Sequence, residues 1–371
     1  MALRKTPIVI GLFAVAVVCG STAYAMTTMT QSPGPHPETV ASVADFTSGS
    51  PTTVYLESVL NGRNEQTKAN RSAMGDPQAT AVELLRIRGD QVSFEITWHN
   101  LVAPTVARVR AGSAGSVGGS VIPMMTAPAS DTLTAVAGSV TIKDPQLLAR
   151  LVNNPTQFYL DMDTARYPNG AVRGQFRRIG PVDLQRIMHV GPLAALNSGD
   201  QEVATTGATN ARATVFLGLG VTSVNYAVSW SGLASPTGLT LAKGAVGVDG
   251  AAAATLFAAP HGLDPAITAV AGTAMNVPAA TITALKADPG TFYTNLATAR
   301  FPTGAARGQL FLASPTTVPP ITTMPTSTMP TPTTQAKPTT TMPTQPTMPT
   351  RPATSTQPGT PSVSTPAPPH W

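Results

Sequence analysis

Apolar and polar residues alternate along much of the chain, most clearly between Gln91 and Asn100. The apolar positions are Val92, Phe94, Ile96 and Trp98, and the polar positions are Ser93, Glu95, Thr97 and His99. A period of two residues is typical of a β-strand with one face in a core and the other in water. The run Ala79–Arg88 is joined to this strand by Gly89-Asp90, which favours a tight turn. Further strands are predicted at Thr53–Leu60, Val106–Ala111, Gly119–Met125 and Thr134–Ile142.

One short helix interrupts this series of strands. Asp144-Pro145 has the form of an N-cap followed by proline at the first helical position. The apolar residues that follow are Leu147, Leu148, Leu151 and Val152. Their spacing places them on one helical face, and Pro155 ends the pattern.

A closing hairpin occurs twice in the chain. Residues 164–176 read TARYPNGAVRGQF and residues 298–310 read TARFPTGAARGQL, with nine of thirteen positions identical at a separation of 134 residues. In each copy an apolar run precedes Pro-x-Gly, and a second apolar run follows Arg-Gly-Gln. Proline and glycine in these places favour strand, tight turn, strand.

The rest of the pattern is also duplicated. Leu196, Gly199 and Glu202 correspond to Leu60, Gly62 and Glu65, and Val224–Trp230 repeats the alternation of Val92–Trp98. Seven or eight short antiparallel strands in about 125 residues indicate a sandwich. The fold class is therefore predicted to be all-β, with two tandem antiparallel β-sandwich or Greek-key domains, each with one short helix. We place the first copy at residues 52–180 and the second copy at 181–314.

The hairpin resembles the end of the chordin-type (CHRD) domain, which reads YVNVHTxxxPxGEIRGQ. Leu60, Gly62 and Glu65 also match the Leu-x-Gly-x-x-Glu pattern that ends the first strand in that family. The resemblance implies a β-rich extracellular module, and it names no ligand.

The chain departs from the family where the family keeps histidines. Arg108 and Arg110 replace those of the Ala-His-x-His-x-Gly run, and Asp161 and Asp163 stand in the hairpin where VNVHT carries one. The four equivalent residues in the second copy are Thr240, Ala242, Asn295 and Ala297. Any role of the family histidines is therefore lost. Because the charged residues are present together in one copy and absent together in the other, we expect cross-strand ion pairs in the first copy.

Two candidate sites have competing interpretations. Asp161 and Asp163 share a strand face, but acid–base chemistry would need a pocket and unequal environments, so ion pairs or a wet sheet face are favoured. Arg-Gly-Gln could bind a ligand, whereas a structural role for its arginine at strand ends or loop carbonyls is favoured. The residues concerned are Arg173, Gln175, Arg307 and Gln309.

The chain ends indicate export. Arg4 and Lys5 precede an apolar run that leads to Ala23-Tyr24-Ala25, as in a cleaved signal peptide over residues 1–25. Residues 26–51 are predicted to be a flexible spacer. Residues 315–371 contain 16 prolines and 19 threonines, which predicts a disordered tail. The lone Cys19 lies inside the leader, and the alternative of lipid attachment is disfavoured because valine precedes it.

Charge and composition narrow the function. Loss of Arg4 and Lys5 lowers the formal charge from +5 to +3, and no basic stripe with aromatics points to nucleic acid. Each of the five histidines lies at least 63 residues from the next, so metal-site spacing is absent, as is a Gly-x-Ser-x-Gly elbow.

We therefore expect a secreted, extracellular or cell-wall-associated binding or adhesion protein that is not an enzyme. The expected chain is a monomer with no catalytic residue, metal or cofactor and no transmembrane segment after signal cleavage. Its partner is expected to be an extracellular protein or glycan. The alternatives are a metal-binding or enzymatic sandwich like superoxide dismutase and a structural cell-wall component.

Overall fold

The computed structural model describes residues 40–65, 75–203 and 205–313. The predicted leader, the predicted tail and residues 26–39 of the predicted spacer lie outside these ranges. No helix in the described part of the chain has the length and apolar content needed to cross a bilayer.

The described chain is all-β, with sixteen antiparallel strands and two short helices. The first domain contains β1 (Thr53–Asn61), β2 (Thr80–Arg88), β3 (Gln91–His99), β4 (Val106–Ala111), β5 (Ser120–Met125), β6 (Leu133–Thr141), β7 (Phe158–Asp163) and β8 (Val172–Ile179). The second domain contains β9 (Leu193–Ser198), β10 (Arg212–Leu219), β11 (Val224–Ser231), β12 (Pro236–Lys243), β13 (Ala252–Ala258), β14 (Ile267–Ala274), β15 (Phe292–Thr298) and β16 (Ala306–Leu312). The predicted fold class and duplication are confirmed.

Each domain follows the same strand order. In the first domain it is β5-β4-β7-β8-β1-β2-β3-β6, and in the second it is β13-β12-β15-β16-β9-β10-β11-β14. Side chains that alternate inward fill the core, as Val92, Phe94 and Ile96 do on β3, where all three are buried. The closing hairpin β7–β8 and the neighbouring strand β4 are thereby set side by side.

The predicted helix is present as α1 (Pro145–Asn153). The Asp144 carboxylate caps it by accepting hydrogen bonds from the backbone N–H groups of Gln146 and Leu147 at 2.9 and 3.0 Å. Its repeat equivalent, α2 (Ala279–Ala287), follows Pro278 and has no side-chain cap.

The described end of the predicted spacer is docked on the first domain. A short 3-10 helix, Val43–Phe46, buries the Phe46 ring in the core. The Asn153 side chain accepts a hydrogen bond from the Ala41 N–H at 2.9 Å and donates one to its carbonyl at 2.8 Å. Residues 40–51 therefore belong to the packed structure, because an apolar ring and a paired amide fix them.

The two domains share one sheet, which the tandem arrangement did not predict. Strand β6 pairs antiparallel with β14, its own repeat equivalent, so all sixteen strands form a continuous sheet. Val136 lies opposite Val270, which is the same position of the repeat. The N–H of Ser139 donates to the Ala266 carbonyl, and the N–H of Thr273 donates to the Thr132 carbonyl, both at 2.9 Å. We call this junction the seam, and it has an approximate two-fold axis at the valine pair.

The connection between the domains covers the outer face of the seam. Ile187 lies in a short 3-10 helix, Arg186–Met188, and packs on alanines from three strands. The alanines are Ala135, Ala137, Ala227, Ala269 and Ala271. Val136 and Val270 point the other way into a hydrophobic cluster that includes residues of both domains. The seam is therefore apolar on both faces, as expected of a central strand pair.

Two details of the sequence interpretation change. The face of β3 predicted to be solvated buries Glu95, which is 4% exposed, because the Arg186–Met188 segment lies against it.

The residue equivalent to Leu60 is Asn197, not Leu196. Leu60 and Asn197 are both buried, and they pair with Ala81 and Ala213 respectively, whereas Leu196 is 59% exposed.

Candidate functional site

The Arg-Gly-Gln step holds the loop between β4 and β5. The Arg173 guanidinium donates to the carbonyls of Ser116 and Ser113 at 2.6 and 2.9 Å, and it lies 3.4 Å above the ring centroid of Tyr159. Gln175 donates from its amide to the carbonyls of Gly112, Thr156 and Phe158 at 2.8 to 3.1 Å. These contacts close a loop over the outer face of the sheet.

The second domain repeats this frame. Arg307 donates to the carbonyls of Ala245 and Val248 at 3.0 and 2.8 Å, and it lies 3.6 Å above the ring centroid of Tyr293. Gln309 donates to the carbonyls of Gly244, Gly290 and Phe292. Arg307 Nη1 also pairs with Asp249 Oδ1 at 2.9 Å. Because all these acceptors belong to the protein itself, the arginine of each Arg-Gly-Gln step braces its own domain, and its guanidinium group is occupied.

A glutamate from the end of the first strand meets the hairpin turn in each domain. A Cβ added at Gly170, where φ is +126°, would lie 2.4 Å from the Glu65 carboxylate, and one at Gly304 would lie equally close to that of Glu202. Glycine is thus required at the turn for the carboxylate to pack beneath it. The two sequence signatures that carry the family resemblance, Leu-x-Gly-x-x-Glu and Pro-x-Gly, therefore meet at one place.

Beside this frame the first domain carries four further charges, and we call them the ionic cluster: Arg108, Arg110, Asp161 and Asp163. Arg108 Nη2 lies 3.0 Å from Asp161 Oδ2 and 2.8 Å from Asp163 Oδ2, and Arg110 Nη1 lies 2.8 Å from Asp161 Oδ2. The pairing follows the register, since Arg108 on β4 lies opposite Asp161 on β7. Both carboxylates are buried, with side-chain exposures of 2% and 6%, whereas the two arginines are about one-fifth exposed.

Burial shifts the protonation equilibria of the acids. Desolvation, together with the nearby Asp161 carboxylate, raises the pKa of Glu65 to about 8, against the opposing effect of Arg173. Burial and Asp161 also raise the pKa of Asp163, against the effect of Arg108. The other carboxylate oxygens, Asp161 Oδ1 and Asp163 Oδ1, are buried and accept no hydrogen bond from a described residue.

The second domain has a neutral version of the same place. Thr240 and Asn295 are opposite one another on β12 and β15, as Arg108 and Asp161 are on β4 and β7. Asn295 donates to Glu202 Oε2 at 3.3 Å. Burial raises the pKa of Glu202 to about 7, opposed by the Asn295 hydrogen bond and by Arg307. The domain frame therefore forms without the ionic cluster.

The chemistry of the ionic cluster is that of paired charges. Both guanidinium groups contact one oxygen of Asp161, and Arg108 also contacts one oxygen of Asp163, which leaves the two aspartates poorly placed to act as acid and base. Among residues 40–65, 75–203 and 205–313 no group of three or more histidine, cysteine, aspartate or glutamate side chains could hold a metal ion.

Sequence reasoning missed two acidic residues. The family pattern accounts for Glu65 but does not place it beside the ionic cluster. Glu83 points into the first core at 0% exposure, burial raises its pKa well above the ordinary value, and neither oxygen has a partner among the described residues. The alternation of β2 carried the signal, since Glu83 stands in line with Ala81 and Leu85.

Comparison with known proteins identifies the family. The model of the CHRD domain matches the chain twice, at residues 56–176 and 193–310. No curated protein and no solved structure showed detectable similarity to the chain. The two matched segments span the strands β1–β8 and β9–β16 described above, apart from the outermost residues. The chain thus belongs to the CHRD domain family, of which it contains two copies.

Proposed function

We propose that the chain is a secreted, non-enzymatic protein that binds an extracellular protein or glycan, in adhesion at a bacterial cell envelope or matrix. Two CHRD domains fit a binding-type protein. The observation that carries the proposal is the ionic cluster, which stands on a frame that the second domain builds without it.

The physical argument rests on the cost of buried charge. Taking two carboxylates and two guanidinium groups out of water costs several kcal/mol per ion, and pairing recovers this only in part. Since the second domain folds with neutral residues at these places, folding alone does not require the charges. The side chains of Arg108 and Arg110 are about one-fifth exposed, so they offer planar N–H donors at the surface for an anionic or polar partner.

The second domain supplies the variant that tests the binding surface. Replacing Arg108, Arg110, Asp161 and Asp163 by threonine, alanine, asparagine and alanine copies the neutral residues and leaves the net charge unchanged. We expect binding to a cell-envelope fraction to fall at least tenfold with folding intact. The control variant makes the reverse change in the second domain: arginine replaces Thr240 and Ala242, and aspartate replaces Asn295 and Ala297. Unchanged binding by the neutral variant would contradict the proposal.

The chain ends support export and a location at the envelope. A leader-like sequence, no cysteine after residue 25 and a Pro/Thr-rich segment are typical of an exported bacterial protein. Fractionation of cells that express the full chain or residues 1–314 tests this location. We expect both chains outside the cytoplasm; if only the full chain stays at the wall and purified domains bind nothing, the alternative of a structural wall component is correct.

A further inference from the structure

A cleft of about 800 Å³ opens at the hairpin end of the second domain. Four connections form it: β9–β10, β11–β12, β13–β14 and the turn between β15 and β16. Its size lies in the range of small-ligand sites. It is a different place from the ionic cluster, which belongs to the first domain.

One residue of the cleft wall differs between the two copies. In the first domain the Asn100 side chain donates to the Gln78 carbonyl at 3.3 Å and ties two of these connections together. The equivalent residue is Gly232, where φ is +69° and a Cβ would lie 2.1 Å from the Asn210 carbonyl. The short distance shows that the two connections touch backbone to backbone at Gly232, where the first domain joins them through the Asn100 side chain.

The lining is polar, aromatic and free of carboxylates. Hydroxyl and amide groups come from Thr206, Thr209, Asn210 and Thr237. The Arg300 guanidinium carbon lies 5.4 Å from the centroid of the Phe301 ring, and both side chains line the cleft. Among the described residues Arg300 forms no salt bridge, and no aspartate or glutamate lines the cleft. A cation beside an aromatic ring and several hydroxyls is therefore presented to solvent.

These groups suit a sugar that bears a carboxylate. Arg300 can pair with a carboxylate in a bidentate manner, the Phe301 ring offers an apolar face for the C–H side of a pyranose, and hydroxyls match ring substituents. A neutral sugar would leave the guanidinium without a partner, and a cationic ligand would be repelled by it. We infer that the cleft binds a short acidic oligosaccharide of the uronate class, independently of the ionic cluster.

The first domain provides a matched control for the test. It carries the same pair, Arg166 and Tyr167, with the guanidinium carbon also 5.4 Å from the ring centroid. The full chain is titrated by calorimetry with a galacturonate trisaccharide, a glucuronate-containing trisaccharide and the same sugars with their carboxylates reduced to alcohols. We expect at least one acid form to bind at least tenfold more tightly than its reduced form. Arg300→Gln should weaken that binding at least tenfold, and Arg166→Gln should change it less than twofold.

The opposite results are equally definite. No heat of binding for either acid sugar at about 1 mM, equal affinity for acid and reduced forms, or an equal loss in Arg166→Gln would overturn the inference. Arg300→Lys keeps the positive charge but lacks the planar guanidinium donors. We therefore expect its affinity to lie between that of Arg300→Gln and that of the wild type. The variant with four neutral substitutions in the ionic cluster retains this cleft, so its binding of the trisaccharides should equal that of the wild type. The proposed binding at the ionic cluster and the proposed binding in the cleft can therefore fail separately.

Discussion

A double-mutant cycle on Arg108 and Asp163 measures what holds the ionic cluster together. Arg108→Thr removes the contacts to Asp161 and Asp163 and leaves two buried carboxylates with less compensation. Removing one partner of a buried pair costs about 3–5 kcal/mol, and we expect about 3 kcal/mol here because Arg110 still pairs with Asp161. Asp163→Ala should cost less, about 1 kcal/mol, since Arg108 keeps Asp161 and the repulsion between the two aspartates is relieved.

The double variant reproduces the neutral pair of the second domain, so it should cost only about 2 kcal/mol, which gives a coupling free energy of about 2 kcal/mol. Urea denaturation at pH 7 supplies the four free energies of unfolding. The control cycle uses Arg177 and Glu57, an ion pair whose arginine is 66% exposed, with the second-domain residues phenylalanine and alanine as replacements. Its coupling should stay below about 1 kcal/mol. Strict additivity for Arg108 and Asp163 would refute the argument that their charges are interdependent.

Three further predictions concern buried acids and the seam. Because the pKa of Glu65 is raised from 4.5 to about 8, its contribution to stability is present below pH 4.5 and is lost as pH rises toward 8. Glu65→Gln should therefore flatten the dependence of the free energy of unfolding in urea on pH between 4.5 and 8. An unchanged dependence on pH would contradict the assignment. Glu83→Val copies Val215 of the second domain and removes a buried carboxyl that has no partner among the described residues. It should raise the free energy of unfolding, measured in urea at pH 7, by about 1–3 kcal/mol. Destabilisation would show that the carboxyl has an unrecognised partner. A fragment of residues 40–190 exposes the β6 edge and should form a dimer in sedimentation, and Ser139→Pro, which removes an N–H that donates across the seam, should return it to a monomer. A monomeric wild-type fragment would show that the seam needs the covalent connection.

The strands could be predicted because their turns are marked by glycine and their faces alternate. The predicted Val106–Ala111 coincides with β4, and Gln91–Asn100 differs from β3 by one residue. Local pattern fixes such elements because period-two alternation and turn residues act over a few positions. The ionic cluster could be anticipated for a related reason, since its charges vary together between two copies of one sequence.

The seam and the buried acids could not be predicted in the same way. The run Ala135-Val136-Ala137 is apolar on both faces, which indicates a strand covered twice, but nothing in it says that the cover is the equivalent strand. Glu95 reads as a solvated residue because the segment that buries it, Arg186–Met188, lies about ninety residues later. Burial of this kind is a tertiary property, and single-strand patterns do not contain it.

The seam also bears on how the two halves can diverge. In a two-fold homodimer every substitution appears twice, so a charge that suits one subunit must be tolerated by the other. Here equivalent strands meet at the axis as they would in such a dimer, yet one chain encodes both halves. The first half can therefore keep its arginines and aspartates while the second loses them, and the second can line its hairpin end with residues of its own. Covalent linkage turns one symmetric surface into two separately adjustable ones held at a fixed spacing.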